Sequence, residues 1–583
     1  MSSDDSNDET VLIRSRTSYQ AFNERFATYS PTLTSTSQQQ QQPFNRQYSS
    51  VYKARLDALK SKCLTAFRNN DNDETSTATI IDRIIELKED TTSFMVGTIV
   101  KHCPKKPKIN FDTNQLYHES GLSYLGTPYD DVEDNSNDND DGTGGAVDPP
   151  LANTTYCNIT DDTVVLEDES GRIELLFDIS DKKQQHWKLN LVTGAIMGIK
   201  GKIHPGNSLL EVQGIYYPAL GPHRTITPPQ ANENDDEACI LLMSGLDCGG
   251  NDNNNHHHPT KRHSSTSLKR ELLIDYITGY IHSNADSQSI SRIIIAGGGC
   301  AKPIRPEKAA HSWATSSSSS KKKQDAKEEL QQQMKEMTLP IRELDLFLSE
   351  VCSNGVPVDY IPGLYDPTNA HWPQRPIHEC LVPNANVFVN MLHRTTNPYE
   401  ACIGDKVLLG SDGLNIFDLR FNLGQIKGDD TRIDAKDEEE DVVAVNAIDA
   451  LESSLKFSHL VPTGPDSVPT FPFDTNDPFV IKYTPHIYFC GNCDKFETKL
   501  IDVQVAEDSD GGDGIVGLTQ VRLICVPSFV KTGQVVVLNL KSLECNIVEI
   551  DDVVADDNHY EIENDHDEKK IEYISNPSQG KIC

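Results

Sequence analysis

The sequence lacks any apolar run long enough to cross a bilayer, and it lacks an apolar segment near its start. Its first ten residues, MSSDDSNDET, are polar and acidic, unlike a secretory signal peptide. Both absences predict a soluble intracellular protein that makes no contact with a membrane. In that setting the Asn-x-Thr sequences at Asn153 and Asn158 are not expected to carry sugars.

Basic residues are scarce. The chain has 53 Lys and Arg against 88 Asp and Glu, which gives a formal net charge of −35. Because nucleic-acid affinity comes largely from Lys and Arg side chains that neutralise phosphates, this balance argues against broad electrostatic binding of DNA. Much of the acid lies in low-complexity runs such as DDVEDNSNDNDDGTGG and DAKDEEED. The net charge therefore describes tails and loops more than the folded surface.

The 14 cysteines lack the regular spacing of a disulfide framework, and Cys239 and Cys525 lie inside apolar strands. We expect reduced thiols in a core. Cys490-Gly491-Asn492-Cys493 has the spacing of half a zinc site, but no second CxxC or His pair accompanies it. We interpret Cys490 as the buried end of a strand and Cys493 as part of a turn, with a metal or redox role as the alternative.

Composition divides the chain into four parts. Residues 1–49, which include a glutamine run, predict a disordered tail. Residues 50–228 predict two helices, one beginning near Ser50 and one over Ile80–Leu87, and then a set of short strands. Residues 236–550 predict an α/β domain, and residues 551–583 predict an acidic tail that does not join the core.

The short strands of the first domain predict a five-stranded oligonucleotide/oligosaccharide-binding (OB) barrel. They are expected at Ser93–Val100, Thr163–Glu167, Arg172–Phe177, Leu191–Lys202 and Leu209–Tyr217. OB barrels often bind single strands through aromatic and basic side chains. This barrel carries acid within VVLEDESGRIELLF and few aromatic residues, so structural packing or partner docking is favoured over nucleic-acid binding by the barrel alone.

The second domain opens with apolar runs that alternate with helical patterns, which is typical of an α/β sheet with any site at its strand ends. Strands are expected at Ala238–Met243, Ile293–Ala296 and Val356–Tyr360, and helices at Leu268–His282 and Leu344–Val351. Later strands are expected at Val387–Asn390, Lys406–Leu409, His486–Cys490, Val521–Val526 and Val535–Leu540. The cluster His256–His258 lies in a low-complexity insertion and is interpreted as disordered rather than metal-binding.

Two isolated motifs do not carry a function. Gly297-Gly298-Gly299 follows a strand, but Lys302 is followed by Pro303 and no GxxxxGK precedes it, so the segment is not a P-loop and nucleotide binding is not expected. His459 could occupy a ligand loop. A single imidazole without partners is better interpreted as a hydrogen-bonded structural residue.

Four loops resemble, in order and setting, the ligand loops of calcineurin-like metallophosphoesterases: ILLMSGLDCGG, IIIAGGGCAKP, VDYIPGLYDPTN and HIYFCGNCDKF. Where that family has Ser-Asp-x-His, this chain has Ser244, Gly245 and Asp247, and its Gly-Asp is here Gly297 and Gly298. Its Gly-Asn-His-Asp is here Gly363, Leu364, Tyr365 and Asp366, and its Gly-His-x-His begins here with Gly491 and Asn492.

A two-metal centre needs most of its Asp, Asn and His ligands at once. The resemblance therefore implies a two-sheet αββα phosphoesterase sandwich without a metal centre, without a cofactor and without hydrolytic activity. We predict that Asp366 has a local role and caps or braces the Pro367–Asn369 turn.

Further segments carry a sharper resemblance: GLYDPTNAHWPQRPIH, LLGSDGLNIFD, HLVPTGPD, DPFVIKYTPHIYFCGN and VPSFVKTGQVVVLNLKSLEC. Together with a barrel before a ligand-poor phosphoesterase domain, they resemble the small (B) subunits of eukaryotic DNA polymerase delta, from about Ser50 to about Ile550. The fold implied is α/β plus β-barrel, an OB barrel followed by the calcineurin-like sandwich.

This resemblance implies a nuclear, non-catalytic accessory subunit. It would link the C-terminal metal-binding domain of the catalytic subunit to the third subunit, with the sliding clamp as an assembly-level partner and DNA contacted mainly through the complex. The alternatives are a B-subunit of polymerase alpha or epsilon, an active metal-dependent phosphodiesterase or nuclease, and a single-strand-binding module.

Overall fold

The computed structural model describes residues 17–22, 26, 48–70, 78–106, 155–204, 206, 208–225, 238–250, 266–279, 290–301, 338–426, 442–506, 515–550 and 572–574. The glutamine run, the acidic and polar insertions and the His256–His258 cluster lie outside these residues. No helix in the described ranges is both long and apolar enough to cross a membrane.

The strands in chain order are β1 Tyr19–Ala21, β2 Thr79–Ile80, β3 Thr92–His102, β4 Thr163–Glu167, β5 Arg172–Leu176, β6 Ile196–Ile203, β7 Leu209–Tyr216, β8 Cys239–Met243, β9 Ile290–Ala296, β10 Val358–Ile361, β11 Leu392–Arg394, β12 Tyr399–Ile403, β13 Lys406–Ser411, β14 Gln425–Ile426, β15 Val442–Val443, β16 Ile487–Cys493, β17 Glu497–Ala506, β18 Ile515–Pro527, β19 Gln534–Asn539, β20 Cys545–Glu549 and β21 Glu572–Ile574. The α-helices are α1 Ser49–Asn70, α2 Lys182–Leu189, α3 Thr266–Thr278, α4 338–353, α5 Leu414–Asn422, α6 Ala447–Lys456 and α7 Phe529–Thr532.

The first sheet closes into a barrel. Its strand order is β2-β3-β4-β5-β7-β6, and β3 pairs with both β4 and β6, so strands β3 to β7 close into a ring with β2 beside β3. Strand β3 is buried on both faces because α1 covers its outer face: Phe67 of α1 stacks on Phe94 with ring centroids 4.0 Å apart. On the inner face Met95 and Ile99 enter the main hydrophobic core. The five strands expected from the sequence are present, with ends that differ by a few residues.

The second predicted helix, Ile80–Leu87, is wrong. The segment instead forms β2 and a short 3₁₀ helix, Ile84–Glu86. Its isoleucines do not make one apolar face, because Ile80 and Ile85 are exposed and only Ile84 is buried. The backbone is held by the barrel, since the Ile81 amide donates to the Phe94 carbonyl. β-branched residues favour such extended pairing over a helix.

Two further sheets pack on each other. One has the order β11-β10-β9-β8-β19-β20-β21 and the other β1-β12-β13-β16-β18-β17. A shared apolar cluster joins them, with Leu242 and Ile294 from the first sheet against Leu408 and Phe489 from the second. Helices α3 and α4 cover the other face of the first sheet. Strands β8, β9 and β10 are therefore buried on both faces, which explains their continuous apolar sequences.

Three other expectations are corrected. Val387–Asn390 is not a strand: Val387 and Val389 are exposed, and the Asp345 carboxylate accepts from the amides of Asn384 and Ala385, which holds the chain in a turn before β11. The prediction that residues 1–49 are a disordered tail is wrong at β1, which pairs with β12, and at Phe26, which is buried. The prediction that the acidic segment 551–583 stays apart from the folded domain is wrong at β21, which pairs with β20.

The barrel and the two-sheet region meet at Arg55 of α1. Its Nε atom donates to the Asp477 carboxylate at 2.8 Å, and its Nη atoms donate to the carbonyls of Gly194, Pro462 and Gly464 at 2.9, 2.9 and 3.0 Å. The Asp477 carboxylate also pairs with His459 Nε2 at 2.8 Å. Burial opposes ionisation of Asp477, but His459 and Arg55 outweigh it and lower its pKa below the ordinary value.

We expect Arg55→Met to lower the free energy of unfolding by about 3–5 kcal/mol, because it leaves the Asp477 charge and three carbonyls buried without their partner. Urea unfolding at neutral pH measures this. Lys53→Met on the same helix is the matched control, since its ion pair with Glu169 is exposed and its loss should leave the unfolding midpoint unchanged. Equal effects at the two positions would contradict the role given to Arg55.

Candidate functional site

Four loops meet at one edge of the two-sheet region. Strands β8, β9 and β10 run parallel, so their carboxyl ends lie together, where parallel sheets present sites. The end of β16 reaches the same place from the other sheet. The sequence-predicted positions brought into contact here are Ser244, Gly245, Asp247, Gly297, Gly298, Gly363, Asp366, Gly491 and Asn492.

The glycine loops touch backbone to backbone. The Gly245 amide donates to the Gly297 carbonyl and the Asp247 amide to the Gly298 carbonyl, each at 3.0 Å. A Cβ atom added to Gly298 would lie 2.6 Å from Asn492 Oδ1 and 2.8 Å from Gly245 Cα. A Cβ added to Gly363 would lie 2.6 Å from Gly298 N. The space between these glycines is therefore too narrow for a methyl group.

The polar side chains of the loops are engaged with main-chain atoms. The Ser244 hydroxyl accepts from the Asn492 amide at 2.8 Å and donates to the Pro527 carbonyl at 3.0 Å. The Asn492 side-chain amide donates to the carbonyls of Asp412 at 2.9 Å and Ala296 at 3.3 Å. Hydroxyl and amide groups thus hold the loops together.

Asp366 joins two of the loops. Its carboxylate accepts from the Gly363 amide at 2.7 Å and from the Cys300 amide at 2.8 Å. Burial raises its pKa, and these backbone donors act in the opposite direction. The prediction that Asp366 caps or braces the Pro367–Asn369 turn is wrong in its target, because in that turn the Thr368 amide donates to the main-chain carbonyl of Asp366 and not to the carboxylate.

Leu364 and Tyr365 lie at the border of the cluster, and Asp247, whose amide belongs to it, also contacts a helix. Leu364 packs against the main hydrophobic core, and Tyr365 is half-buried beside it. Asp247 has a positive φ of 50°, and its carbonyl accepts from Arg270 at 3.3 Å. Burial raises the pKa of the Asp247 carboxyl, with the nearby Arg270 charge opposing that shift.

A buried polar network beside the loops escaped the sequence analysis. Asp412 accepts from the Leu414 amide at 3.2 Å, and its own amide donates to Asn397 Oδ1 at 3.3 Å. Asn397 binds Gln374 at 2.8 Å, and Gln374 donates to the Gly363 carbonyl at 3.2 Å. Burial raises the pKa of Asp412 to about 6. The segments LLGSDGLNIFD and GLYDPTNAHWPQRPIH contain Asp412 and Gln374, but nothing in their spacing indicates the contact.

Two other predicted features have clear outcomes. His459 is buried and hydrogen-bonded, with Nε2 against Asp477 and Nδ1 accepting from the Val461 amide at 3.1 Å, so its structural role is confirmed. Cys493 does not lie in a turn but is the buried last residue of β16. Its thiol lies 3.5 Å from that of Cys490.

Comparison with known proteins identifies the family. A family model described as the DNA polymerase delta subunit OB-fold domain matches residues 47–215, and one described as the B-subunit of DNA polymerase alpha/epsilon matches residues 240–498. The DNA polymerase delta small subunit of rice is 28% identical, over 80% of this chain and 85% of the rice protein. That of Arabidopsis thaliana is 26% identical, over 92% and 96%. This chain belongs to the family of DNA polymerase delta small subunits.

The match to this small-subunit family extends beyond plants. The small subunit of DNA polymerase delta from Saccharomyces cerevisiae is 25% identical, over 87% of this chain and 90% of the yeast protein. Among solved structures, TT1561 of Thermus thermophilus is 11% identical, and the alignment covers 54% of this chain and 99% of the TT1561 chain. Its TM-score of 0.20 is too low to indicate a shared fold. The residues that the two family models match include the barrel strands and all four loops of this chain.

Gly363→Ala should lower the free energy of unfolding by about 1–3 kcal/mol, because its methyl group would meet main-chain atoms that cannot move independently. Gly171→Ala is the matched control: neither glycine has a positive φ, and a Cβ at Gly171 meets no atom within 4 Å. Thermal unfolding of the two variants beside the parent chain measures the difference. If both variants melt together with the parent, the loops are not packed as described.

Proposed function

We propose that this chain is the non-catalytic accessory subunit of DNA polymerase delta and links the catalytic subunit to the third subunit during DNA replication. The observation that carries the proposal is the ordered match of both halves of the chain to this family, with relatives named as delta small subunits over most of its length. The delta-specific model of the barrel favours delta over the B-subunits of polymerases alpha and epsilon.

In this proposal, the two sheets and their covering helices form a calcineurin-like αββα sandwich that no longer binds metal ions or hydrolyses a substrate. The supporting observation is the contact among Gly245, Gly298 and Gly363, which leaves no room for a ligand side chain where four loops meet. The carboxylate of Asp366 already accepts hydrogen bonds from the main-chain amides of Gly363 and Cys300. A binuclear centre needs such groups free to coordinate ions.

A scaffold has to hold its binding surfaces in one relative orientation. The barrel, over 50–228, and the sandwich, over 236–550, are the two proposed domains, and the buried Arg55 contacts tie them together. The catalytic subunit's C-terminal metal-binding domain and the third subunit are the proposed partners, with the sliding clamp joining at the level of the assembly. The excess of 35 negative charges supports DNA contact mainly through the complex. The proposed location is the nucleus, and the similarity to polymerase delta subunits supports it.

Co-expression tests the assembly. The tagged chain is expressed with the catalytic and third subunits of polymerase delta from the same source, and in parallel with the catalytic subunits of polymerases alpha and epsilon. We expect a stoichiometric complex with the delta subunits that persists in high salt and during gel filtration. Preferential recovery of the alpha or epsilon catalytic subunit would assign the chain to the other branch, and recovery of none would overturn the accessory role.

A hydrolysis assay tests the rival enzymatic function. The full chain is incubated with Mn²⁺ and bis(p-nitrophenyl) phosphate or single-stranded DNA, with chelator as the blank. We expect no metal-dependent product, because the four loops described above offer no open coordination site. Asp412→Asn and Asp366→Ala are the control variants. A Mn²⁺-dependent rate that both substitutions abolish in folded protein would replace the scaffold by a phosphodiesterase.

A further inference from the structure

Three buried thiols form one group beside the loop cluster. The Cys490 Sγ atom lies 3.5 Å from that of Cys493 and 3.8 Å from that of Cys525. Cys490 and Cys525 have no exposed surface, and Cys493 retains 9%. All three Sγ atoms lie within 4.8 Å of one another. The sequence showed only the Cys490–Cys493 pair, because Cys525 is supplied by another strand.

A bulge creates this convergence. Residues three apart on a regular strand point to opposite faces, so Cys490 and Cys493 should not meet. The register of β16 against β18 shifts between them, and Asn492 adopts a positive φ of 54°. An extra residue of this kind rotates the following side chain onto the other face. Cys525 faces Cys490 directly in the same parallel pair and completes the group.

We propose that Cys490, Cys493 and Cys525 form a structural site for a thiophilic metal ion, with Zn²⁺ as the expected occupant. Zinc–thiolate bonds of about 2.3 Å in a tetrahedron place sulfur atoms about 3.8 Å apart, close to the separations found here. The CxxC spacing supplies two ligands from one segment, as in many structural zinc sites. The site is independent of the accessory function and of the former hydrolytic centre.

A crevice beside Cys493 is the proposed place of the fourth ligand. It has a volume of about 20 Å³, and its lining includes Arg420, Asn492, Cys493 and Asp494. A space of this size holds one water molecule, which serves as the fourth ligand. Three thiolates and one Zn²⁺ leave one negative charge. The guanidinium of Arg420 lies at the crevice, where it also pairs with the Asp494 carboxylate at 3.6 Å.

A second cluster of possible metal ligands in the described part of the chain is already occupied by a side-chain cation. Cys103, Cys157 and Asp162 also converge, but the Lys101 ammonium lies 3.1 Å from Cys157 Sγ and 3.5 Å from the Asp162 carboxylate. A side-chain cation therefore already contacts two of the three groups there. Among the described residues, the printed contacts of the Cys490, Cys493 and Cys525 thiols are with one another and with the carbonyls of Cys490 and Gly491, and no lysine takes part in them.

Metal analysis of the full chain expressed alone tests the site, since this excludes metal carried by a catalytic subunit. We expect about one Zn²⁺ per chain. Replacement by Co²⁺ should give a thiolate-to-cobalt charge-transfer band in the near ultraviolet and the visible bands of tetrahedral cobalt. Cys493→Ser and Cys525→Ser should each lower the metal content at least tenfold, whereas Cys352→Ser, a buried cysteine of α4, should leave it unchanged.

Three results would overturn the proposal: no metal and no cobalt band in the parent chain, full metal content in both ligand variants, or an intact mass two hydrogens low that maps to a Cys490–Cys493 disulfide. Circular dichroism of each variant separates loss of the ligand from loss of the fold. If the serine variants unfold, the cobalt spectrum of the parent decides, because its charge-transfer intensity reports the number of thiolate ligands.

Discussion

The buried guanidinium of Arg55 is the interaction on which the arrangement of this molecule depends. It binds one carboxylate and three carbonyls that come from the barrel and from the two-sheet region. A planar group with five donors can satisfy such a set, whereas a lysine ammonium cannot reach four acceptors spread in this way. Gly194 permits the approach, because a Cβ there would lie 2.1 Å from the Pro462 carbonyl. The two halves are thus joined by directional bonds as well as by apolar contact.

The polar groups of the loops at the strand ends are satisfied by hydrogen bonds between the loops rather than by metal ions. In a metal site, carboxylates and imidazoles point at ions across a gap. Here the gap is closed by glycines, and amides, carbonyls and the Asp366 carboxylate pair with one another. The arrangement retains an electrostatic cost, because burial raises the pKa of Asp366 and of Asp247 and raises that of Asp412 to about 6.

Sequence reasoning succeeded where local pattern decides the structure. Strands β8, β9 and β10 are continuous apolar runs, and β4 and β5 alternate, so their burial follows from periodicity. It failed where a distant partner decides. Strand β1 exists because β12 offers a free edge, and Val387 turns outward because Asp345 holds the preceding backbone. In the site the glycines were identified through the resemblance of their loops to phosphoesterase ligand loops. The network through Asn397 and Gln374 depends on contacts between segments that no spacing encodes.

The bulge in β16 connects the two unusual features of this edge of the molecule. Asn492 at its apex directs an amide into the loop cluster, and the same change of register turns Cys493 inward to Cys490 and Cys525. A backbone irregularity of this kind persists only when its surroundings hold it. On the loop side the hydrogen bonds of Ser244 and Asn492 do so. On the other side, a metal ion bound by three thiolates would hold the same residues, so a site built for coordination at one face of the bulge would support the closed, ligand-poor loops at the other.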